Sequence, residues 1–204
     1  MYYAIDRRWL RSTVTVTLVA LNIVLFLLTL LFRETVYNAG VLDVYRVMTD
    51  GEYNRLVSAV FLHADFSHLF SNMILLFYLG AVVERNIGHI LFAMLYLISG
   101  IAGNAATLLY EVTHFQSWTS LGASGAVFGV MGAMIVLLLK VPRAQRTGSS
   151  LLPRVGFMVA YSLFTGLRSS AVNNIAHVAG LVTGAALGYI FTFHKRQFDL
   201  SALM

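Results

Sequence analysis

Among the polar side chains within the apolar stretches of this 204-residue chain, four could do chemistry together, namely His68, Asn72, Ser124 and His177. A polar group inside a bilayer is costly, so each one needs a structural or chemical reason. A serine hydroxyl becomes a nucleophile when a neighbouring base takes its proton, and imidazole is a common base. These residue types therefore predict acyl transfer, with Ser124 as nucleophile and His177 as general base.

Attack on an amide creates an oxyanion, which needs hydrogen-bond donors that are already in place. His68 and Asn72 are four residues apart, so they share one face of a helix. The Asn72 amide and a ring nitrogen of His68 can both donate, and the backbone N–H of Ser124 near a helix start adds a third donor. We predict these three residues as the oxyanion hole, with no cofactor and no metal.

An acidic residue that would orient the histidine is missing from the apolar stretches. Asp65 and Glu111 lie at their outer flanks and would reach the site only by folding inward. The sequence therefore predicts a Ser–His dyad and not a triad.

The composition places these residues in a membrane. Hydrophobic residues make up 58% of the chain and charged residues 11%, against about 25% charged in a soluble domain. Long uncharged runs separate the charges, and a helix needs about 20 apolar residues to cross a bilayer. The prediction is an all-α bundle of six transmembrane helices in a single domain, residues 1–204. Its helices are expected near 13–32, 67–84, 89–110, 121–140, 151–168 and 172–193.

The distribution of Lys and Arg predicts the orientation of the bundle. With the N-terminus in the cytoplasm, the inner segments hold Arg7, Arg8, Arg11, Arg85, Lys140, Arg143, Arg146, Arg154, Lys195 and Arg196. The outer segments then hold Arg33, Arg46, Arg55 and Arg168. We therefore expect a multi-pass protein of the cell membrane with both termini in the cytoplasm. The second, fourth and sixth helices then begin at the outer side, which puts all four polar residues at a similar depth.

Small residues favour contact between the fourth and sixth helices. Gly125 and Gly129 are four residues apart beside Ser124, and Gly180, Gly184 and Gly188 repeat at the same interval after His177. This spacing lets helix backbones approach closely. Phe128, one turn after Ser124, is expected to pack on the imidazole of His177.

Two segments outside the predicted spans have a distinct composition. Residues 33–66 form one long outer loop, rich in apolar as well as charged residues. Its composition fits a segment lying partly in the interface and a simple exposed loop equally well. The tail 197–204 is expected to be disordered.

These motifs resemble the rhomboid family of intramembrane serine proteases over roughly residues 10–193. Gly122, Ser124 and Gly125 match the family's GxSG, and the run from Ala176 through Gly180 to Gly184 matches its AHxxGxxxG. His68 with Asn72 matches the family's HxxxN. His63 and the pair Glu84-Arg85 match two further recurrent features of the family. The resemblance implies a serine endopeptidase whose single-span transmembrane substrates enter laterally past the fifth helix. It also implies an outer loop lying in the membrane.

The sequence departs from the family pattern at two positions. Asn54-Arg55 stands where many members carry Trp-Arg, which concerns the anchoring of the outer loop. Phe128 stands where Tyr is frequent, so stacking on the histidine is retained without a hydroxyl contact.

Three other functions are possible for a membrane protein with these polar residues. A small transporter would need polar groups along the whole bilayer, whereas here they gather at one end. A metalloprotease would need a His-Glu-x-x-His pair, which the sequence lacks. A non-catalytic relative that binds membrane proteins stays open, and reaction with a serine-directed covalent probe would separate it from an enzyme.

Overall fold

The computed structural model describes residues 12–116, 118–141, 151–169, 172–195 and 198–199. Helices dominate this part of the chain, with one short antiparallel sheet. The elements are α1 Thr13–Leu31, α2 Arg33–Gly40, β1 Leu42–Asp43, α3 Val44–Thr49, α4 Arg55–Ser58, α5 Phe66–Leu75, α6 Ala81–Ile87, α7 His89–Thr113, β2 Thr119–Ser120, α8 Ser124–Lys140, α9 Leu151–Gly166 and α10 Asn174–Phe191. A 3-10 turn, Ala59–Phe61, follows α4, and a π turn, Leu76–Gly80, joins α5 to α6.

Four helices of the described chain are long and apolar enough to cross a membrane: Thr13–Leu31, Phe66–Ile87 (α5 to α6), His89–Thr113 and Asn174–Phe191. Two shorter apolar helices, Ser124–Lys140 and Leu151–Gly166, accompany them. Each lies where the sequence predicts a span. The fourth and sixth predictions begin too early, because α8 starts at Ser124 itself and α10 at Asn174.

The segment between α1 and α5 is folded into short helices and a strand, which argues against the simple exposed loop, one of the two interpretations that the composition left open. Strand β1 pairs with β2 through Leu42 and Ser120, and α3 and α4 follow it. The buried guanidinium of Arg55 donates to the carbonyls of Val41 at 2.8 Å and Asn38 at 2.6 Å. Such bonds satisfy backbone groups that regular structure leaves unpaired. Arg55 therefore stabilises this segment, and it does so with Asn54 in place of the Trp that precedes the arginine in many members of the family.

The centre of the bundle is α8, most of whose residues are buried. Its glycines bring it into backbone contact with α10. A side chain at Gly180 would collide with the carbonyl oxygen of Gly125, and one at Gly184 with that of Gly129. The predicted close approach of these two helices is confirmed, and it follows from the absence of a Cβ at the contact.

Helix α9 packs at the edge of the bundle. Only Val155, Val159 and Gly166 are buried among its residues. Its large side chains Phe157 and Tyr161 are mostly exposed in the isolated chain. The α9 helix is therefore attached along a narrow strip, unlike the central helix α8.

At the opposite end of the bundle, a buried carboxylate caps the start of α1. Glu84 accepts hydrogen bonds from the backbone N–H groups of Val14 at 2.9 Å and Thr15 at 2.7 Å. The first N–H groups of a helix lack partners within the helix, so this contact stabilises α1 where it meets α6. The sequence placed Glu84 merely at the end of the second span, and its capping role was not predicted.

The C-terminal tail is described at residues 198–199 only. There, Asn86 Nδ2 donates to the carbonyl of Asp199 at 2.8 Å, and the Asp199 N–H donates to Asn86 Oδ1 at 2.9 Å. These residues are therefore docked on α6, in contrast to the predicted disorder. Residues 196–197 and 200–204 lie outside the described part.

Candidate active site

The candidate site lies where the N-terminal ends of α5, α8 and α10 meet. His68 is in the first turn of α5, Ser124 is the first residue of α8, and His177 is in the first turn of α10. The residues singled out from the sequence thus occupy equivalent positions on three helices. Helix N-termini also carry partial positive charge and unpaired N–H groups, which suits a site where an oxyanion develops.

Ser124 is positioned by the turn that precedes it. Gly122 has a φ of 141°, a backbone conformation that residues with side chains rarely adopt. Its N–H donates to the carbonyl of Ala59 at 2.9 Å, which fixes the turn against the 3-10 segment. The chain therefore enters α8 with the half-buried Ser124 at its first helical position.

Gly122 also leaves room for His68. A Cβ on Gly122 would lie 2.7 Å from Cε1 and 2.9 Å from Nε2 of His68, and 3.7 Å from the Ser124 hydroxyl oxygen. The Ser124 hydroxyl and the His68 ring thus border the same small space. Any side chain at position 122 would fill it, which gives the GxSG glycine two physical roles.

His177 is held by its ring neighbour and by the start of its helix. Its imidazole stacks on Phe128, with ring centroids 4.2 Å apart and an interplanar angle of 6°. The predicted stacking of these two rings is confirmed. Ser124 lies one turn before Phe128 on the same helix, so the stack brings the imidazole to the helix end that carries the hydroxyl.

The described part of the chain contains no Ser124–His177 hydrogen bond, and the buried Nδ1 of His177 has no partner there. Asp65 instead caps α5 by accepting from the His68 N–H at 2.8 Å, and Glu111 accepts from the Trp118 N–H at 3.0 Å. Neither acid orients the histidine. Catalytic hydrogen bonds are often long without substrate and tighten in the complex.

Asn72 is buried below His68 on the same helix. Its Nδ2 donates to the carbonyl of His68 at 3.0 Å, so one of its two amide protons is used within α5. The second proton is available for another acceptor. His68 and Asn72 therefore sit on one face, as the spacing predicted.

His63 forms the outer wall of this cluster. It is fully buried, and its ring meets that of His68 edge-on with centroids 5.1 Å apart. Burial lowers the pKa of His63 to about 3, with the nearby His68 ring acting in the same direction. Neither ring nitrogen makes a well-formed hydrogen bond within the described residues, although the Phe61 backbone interacts with the ring. His63 is therefore a neutral ring beside the site.

The sequence analysis missed Asn173, which caps α10. Its Oδ1 accepts from the Ala176 N–H at 3.0 Å, while its Nδ2 donates to Thr107 Oγ1 at 2.8 Å and Ser120 Oγ at 3.1 Å. Asparagine just before an apolar helical run is a recognised N-cap signal and could have located the helix start. Its two cross-links join residues that are 66 and 53 positions away, and no sequence pattern indicates them.

Comparisons with known proteins indicate the family of this chain. The family model described as "Rhomboid domain" matches residues 50–193. The chain is 37% identical over 164 residues to "RHOMBOID-like protein 6, mitochondrial" of Arabidopsis thaliana, covering 80% of this chain and 52% of that protein. It is 31% identical over 208 residues to "Rhomboid protease AarA" of Providencia stuartii, covering 89% and 74%.

A third relative is "Putative rhomboid protease YdcA" of Bacillus subtilis (strain 168), which is 32% identical over 169 residues, covering 82% of this chain and 79% of that protein. The chain spans about half the length of the first Arabidopsis relative. The shared region includes both α8 and α10.

Proposed function

Because the chain belongs to the rhomboid family, we propose that it is a serine endopeptidase that cleaves transmembrane segments of other membrane proteins. The names of the Providencia stuartii and Bacillus subtilis relatives, which both contain the words "rhomboid protease", support this reading. One observation in the structure carries it: His177 stacks on Phe128 at the end of α8 that begins with Ser124.

Ser124 is the nucleophile in this proposal. Its hydroxyl oxygen attacks the scissile carbonyl while His177 takes the hydroxyl proton on its Nε2 atom. The backbone contact of Gly180 with Gly125 supports this assignment, because it keeps the two helices too close for lipid to separate the residues. A small rotation of the serine side chain, or arrival of the substrate, would complete the hydrogen bond.

The tetrahedral oxyanion is stabilised by His68, Asn72 and the Ser124 N–H. Support comes from the His68 ring against Gly122 and from the first-helical position of Ser124. Loss of one such donor typically costs about 2.7–4 kcal/mol of transition-state stabilisation. The unused amide proton of Asn72 is the group we assign to this task.

Collapse of the intermediate breaks the peptide bond. His177 then returns its proton to the leaving amine, and the acyl group stays on Ser124. Water, activated by His177, attacks this ester and releases the second product. The reaction therefore needs a water path to the outer end of the bundle, where Ser124 is half-buried and not sealed.

The proposed substrates are single-span membrane proteins cut near the outer end of their transmembrane segment. An intact helix hides its amide groups, so small or helix-weakening residues around the cut are expected. Lateral entry past α9 is supported by the narrow contact strip of this helix.

The proposal includes six spans, with the two shorter apolar helices crossing the membrane alongside the four longer ones. Both termini are placed in the cytoplasm of a cell membrane and the site at the outer side, as the Lys and Arg distribution indicates. The chain has no cysteine, so single engineered cysteines give a clean test. A cysteine at Thr119 should react with an impermeant thiol reagent from outside intact cells, and one at His194 should not.

Cleavage is tested with the purified protein in lipid and a single-span model substrate. Ser124→Ala and His177→Phe should both abolish cleavage and labelling by a fluorophosphonate, since the first lacks the nucleophile and the second lacks the base. The phenyl ring retains the stack on Phe128, so folding is preserved. Ser162→Ala on α9 is the matched control and should cleave normally. Wild-type rates in either site variant would exclude the dyad.

A further inference from the structure

Asn173 connects the two chain segments that carry the proposed catalytic residues. Its Oδ1 caps α10 at Ala176, the residue before His177, with a distance of 3.0 Å. Its Nδ2 donates at 3.1 Å to the hydroxyl of Ser120, four residues before Ser124. One planar amide therefore links the approach to the serine with the start of the histidine helix.

The second donor bond of Asn173 anchors this link to α7. Nδ2 donates to Thr107 Oγ1 at 2.8 Å, and the Thr107 hydroxyl in turn donates to the carbonyl of Gly103 at 3.0 Å. The Thr107 hydroxyl is thus oriented as an acceptor for Asn173, and both amide protons of Asn173 are used, one on Thr107 and one on Ser120. An amide with all its bonds satisfied at three elements has a single low-energy orientation.

Backbone packing near His177 limits the movement of the start of α10, and the Asn173 network restrains it further. The carbonyl oxygen of Ala176 would lie 2.9 Å from a Cβ on Gly103 and 3.4 Å from one on Gly125. Ala176 is therefore wedged between α7 and α8, which fixes the helix separation. Further along the helix, the contacts of Gly180 and Gly184 with α8 limit rotation of α10 about its own axis and its shift along that axis. The Asn173 bonds restrain both motions.

We propose that Asn173 is a positioning residue that sets the orientation of His177 relative to Ser124. This inference rests on the proposed function. Because the dyad lacks an acidic orienter, the helix start takes over the alignment of the base. Misplacement of a catalytic group by about 1 Å can cost about a hundredfold in rate, so a single lost restraint is measurable.

Asn173→Ser separates the two roles of the residue. Serine caps helices about as well as asparagine, but it is too short to reach Thr107 and Ser120. We expect kcat to fall by about tenfold or more with KM within about twofold, because the lost alignment acts on the chemical step. A loss of stability alone would also lower the apparent kcat at constant KM, so kcat is calculated per active site, counted by titration to completion with a fluorophosphonate.

The two hydroxyl groups that accept from Asn173 offer a second variant that leaves Asn173 intact. Thr107→Val with Ser120→Ala removes both acceptors and should reproduce the fall in kcat. Adding Asn173→Ser in that background should cost little more, because the three residues act as one unit. This variant also covers the case in which Asn173→Ser folds poorly.

Asn174→Ser is the matched control. Asn174 is the adjacent residue of the same type, but its Nδ2 donates to the carbonyl of Leu163 on α9 at 3.0 Å. It should leave kcat unchanged. An equal fall in kcat for Asn174→Ser, or wild-type kcat for both Asn173→Ser and the Thr107–Ser120 variant, would overturn the proposal.

A distance measurement tests positioning without any cleavage. Spin labels on cysteines at Thr119 and Val178 report the separation of the serine approach from the exposed face of α10, and the chain has no other cysteine. Asn173→Ser should broaden or shift this distance distribution, and Asn174→Ser should not. An unchanged distribution would refute the inference even in an active enzyme. A changed distribution in a protein that never cleaves would place the failure in the proposed function.

Discussion

The pair α8–α10 and the single helix α9 belong to one bundle but are held in different ways. The pair is joined backbone to backbone, since Gly180 and Gly184 of α10 meet carbonyl groups of α8 directly. Helix α9 instead keeps contact through a few side chains, and Gly156 in its first half faces open space. The proposed nucleophile and base both lie on the pair. The difference suggests that the closely packed pair α8–α10 aligns the proposed catalytic residues and that the weakly attached helix α9 admits the substrate.

The stiffest contact should be the most sensitive to change. Gly180→Ala places a methyl group against the Gly125 carbonyl, so α8 and α10 must move apart one turn from His177. We expect at least about a hundredfold loss of cleavage, because displacement of the base by about 1 Å has that effect. The thermal midpoint should also fall. Full activity with an unchanged midpoint would show that the pair is not rigid.

The stability of the folded protein should depend on pH through His63, which borders the site. The pKa of His63 is lowered to about 3 in the folded protein, below its ordinary value of 6.5. The unfolded state therefore takes up the proton first, so stability is full above pH 6.5 and is lost as pH falls towards 3. Between pH 7 and 5 this amounts to about 2 kcal/mol at 1.36 kcal/mol per unit.

The measurement for His63 is the unfolding free energy in detergent at several pH values, in a Ser124→Ala background that prevents self-cleavage. His63→Leu should flatten the loss of stability below pH 6.5. An equal slope in both proteins would mean that the His63 ring is not kept neutral by its burial.

The hydrogen bond between Asn174 and α9 should affect substrate binding more than the chemical step. Asn174→Ser removes the bond to the Leu163 carbonyl, which joins α10 to the end of α9. Hydrogen bonds between helices in a membrane average about 0.6 kcal/mol, so the change in stability is small. We expect KM for a transmembrane substrate to shift by about two- to threefold at constant kcat. A fall in kcat would tie α9 to alignment and weaken the contrast.

The smallest effect is expected at the glycine that touches nothing. Gly156→Ala lies in a helix interior with open space around the new methyl group. Alanine favours the helix over glycine by roughly 0.5–1 kcal/mol, so the midpoint should rise slightly with unchanged cleavage. This variant is the direct counterpart of Gly180→Ala, and a large loss of activity would show that α9 also takes part in alignment.

Much of the site followed from the cost of polar groups in lipid. His68, Asn72, Ser124 and His177 were identifiable because they interrupt apolar runs, and their positions near helix starts followed from the charges at the run ends. The glycine spacing also indicated which two helices touch. The stacking of Phe128 on His177 followed from that contact and a helical interval of four.

Other features depend on partners distant in sequence. Glu84 looked like a residue at a helix end, but it caps α1 from 70 residues away. The segment from α2 to α4 was predicted only as an outer loop, and Arg55 organises it through carbonyls that only the folded chain brings near. Asn173 was likewise indistinguishable from its neighbour Asn174.

The sequence by itself indicated that this protein lies in lipid, where its long apolar helices are and which residue types form the proposed site, because burial in lipid leaves few alternatives for each of them. Tertiary structure alone decided which polar groups are shared between helices. A side chain such as Asn173 acquires its role from the distances and angles at which three elements meet, and those depend on the packing of the whole bundle.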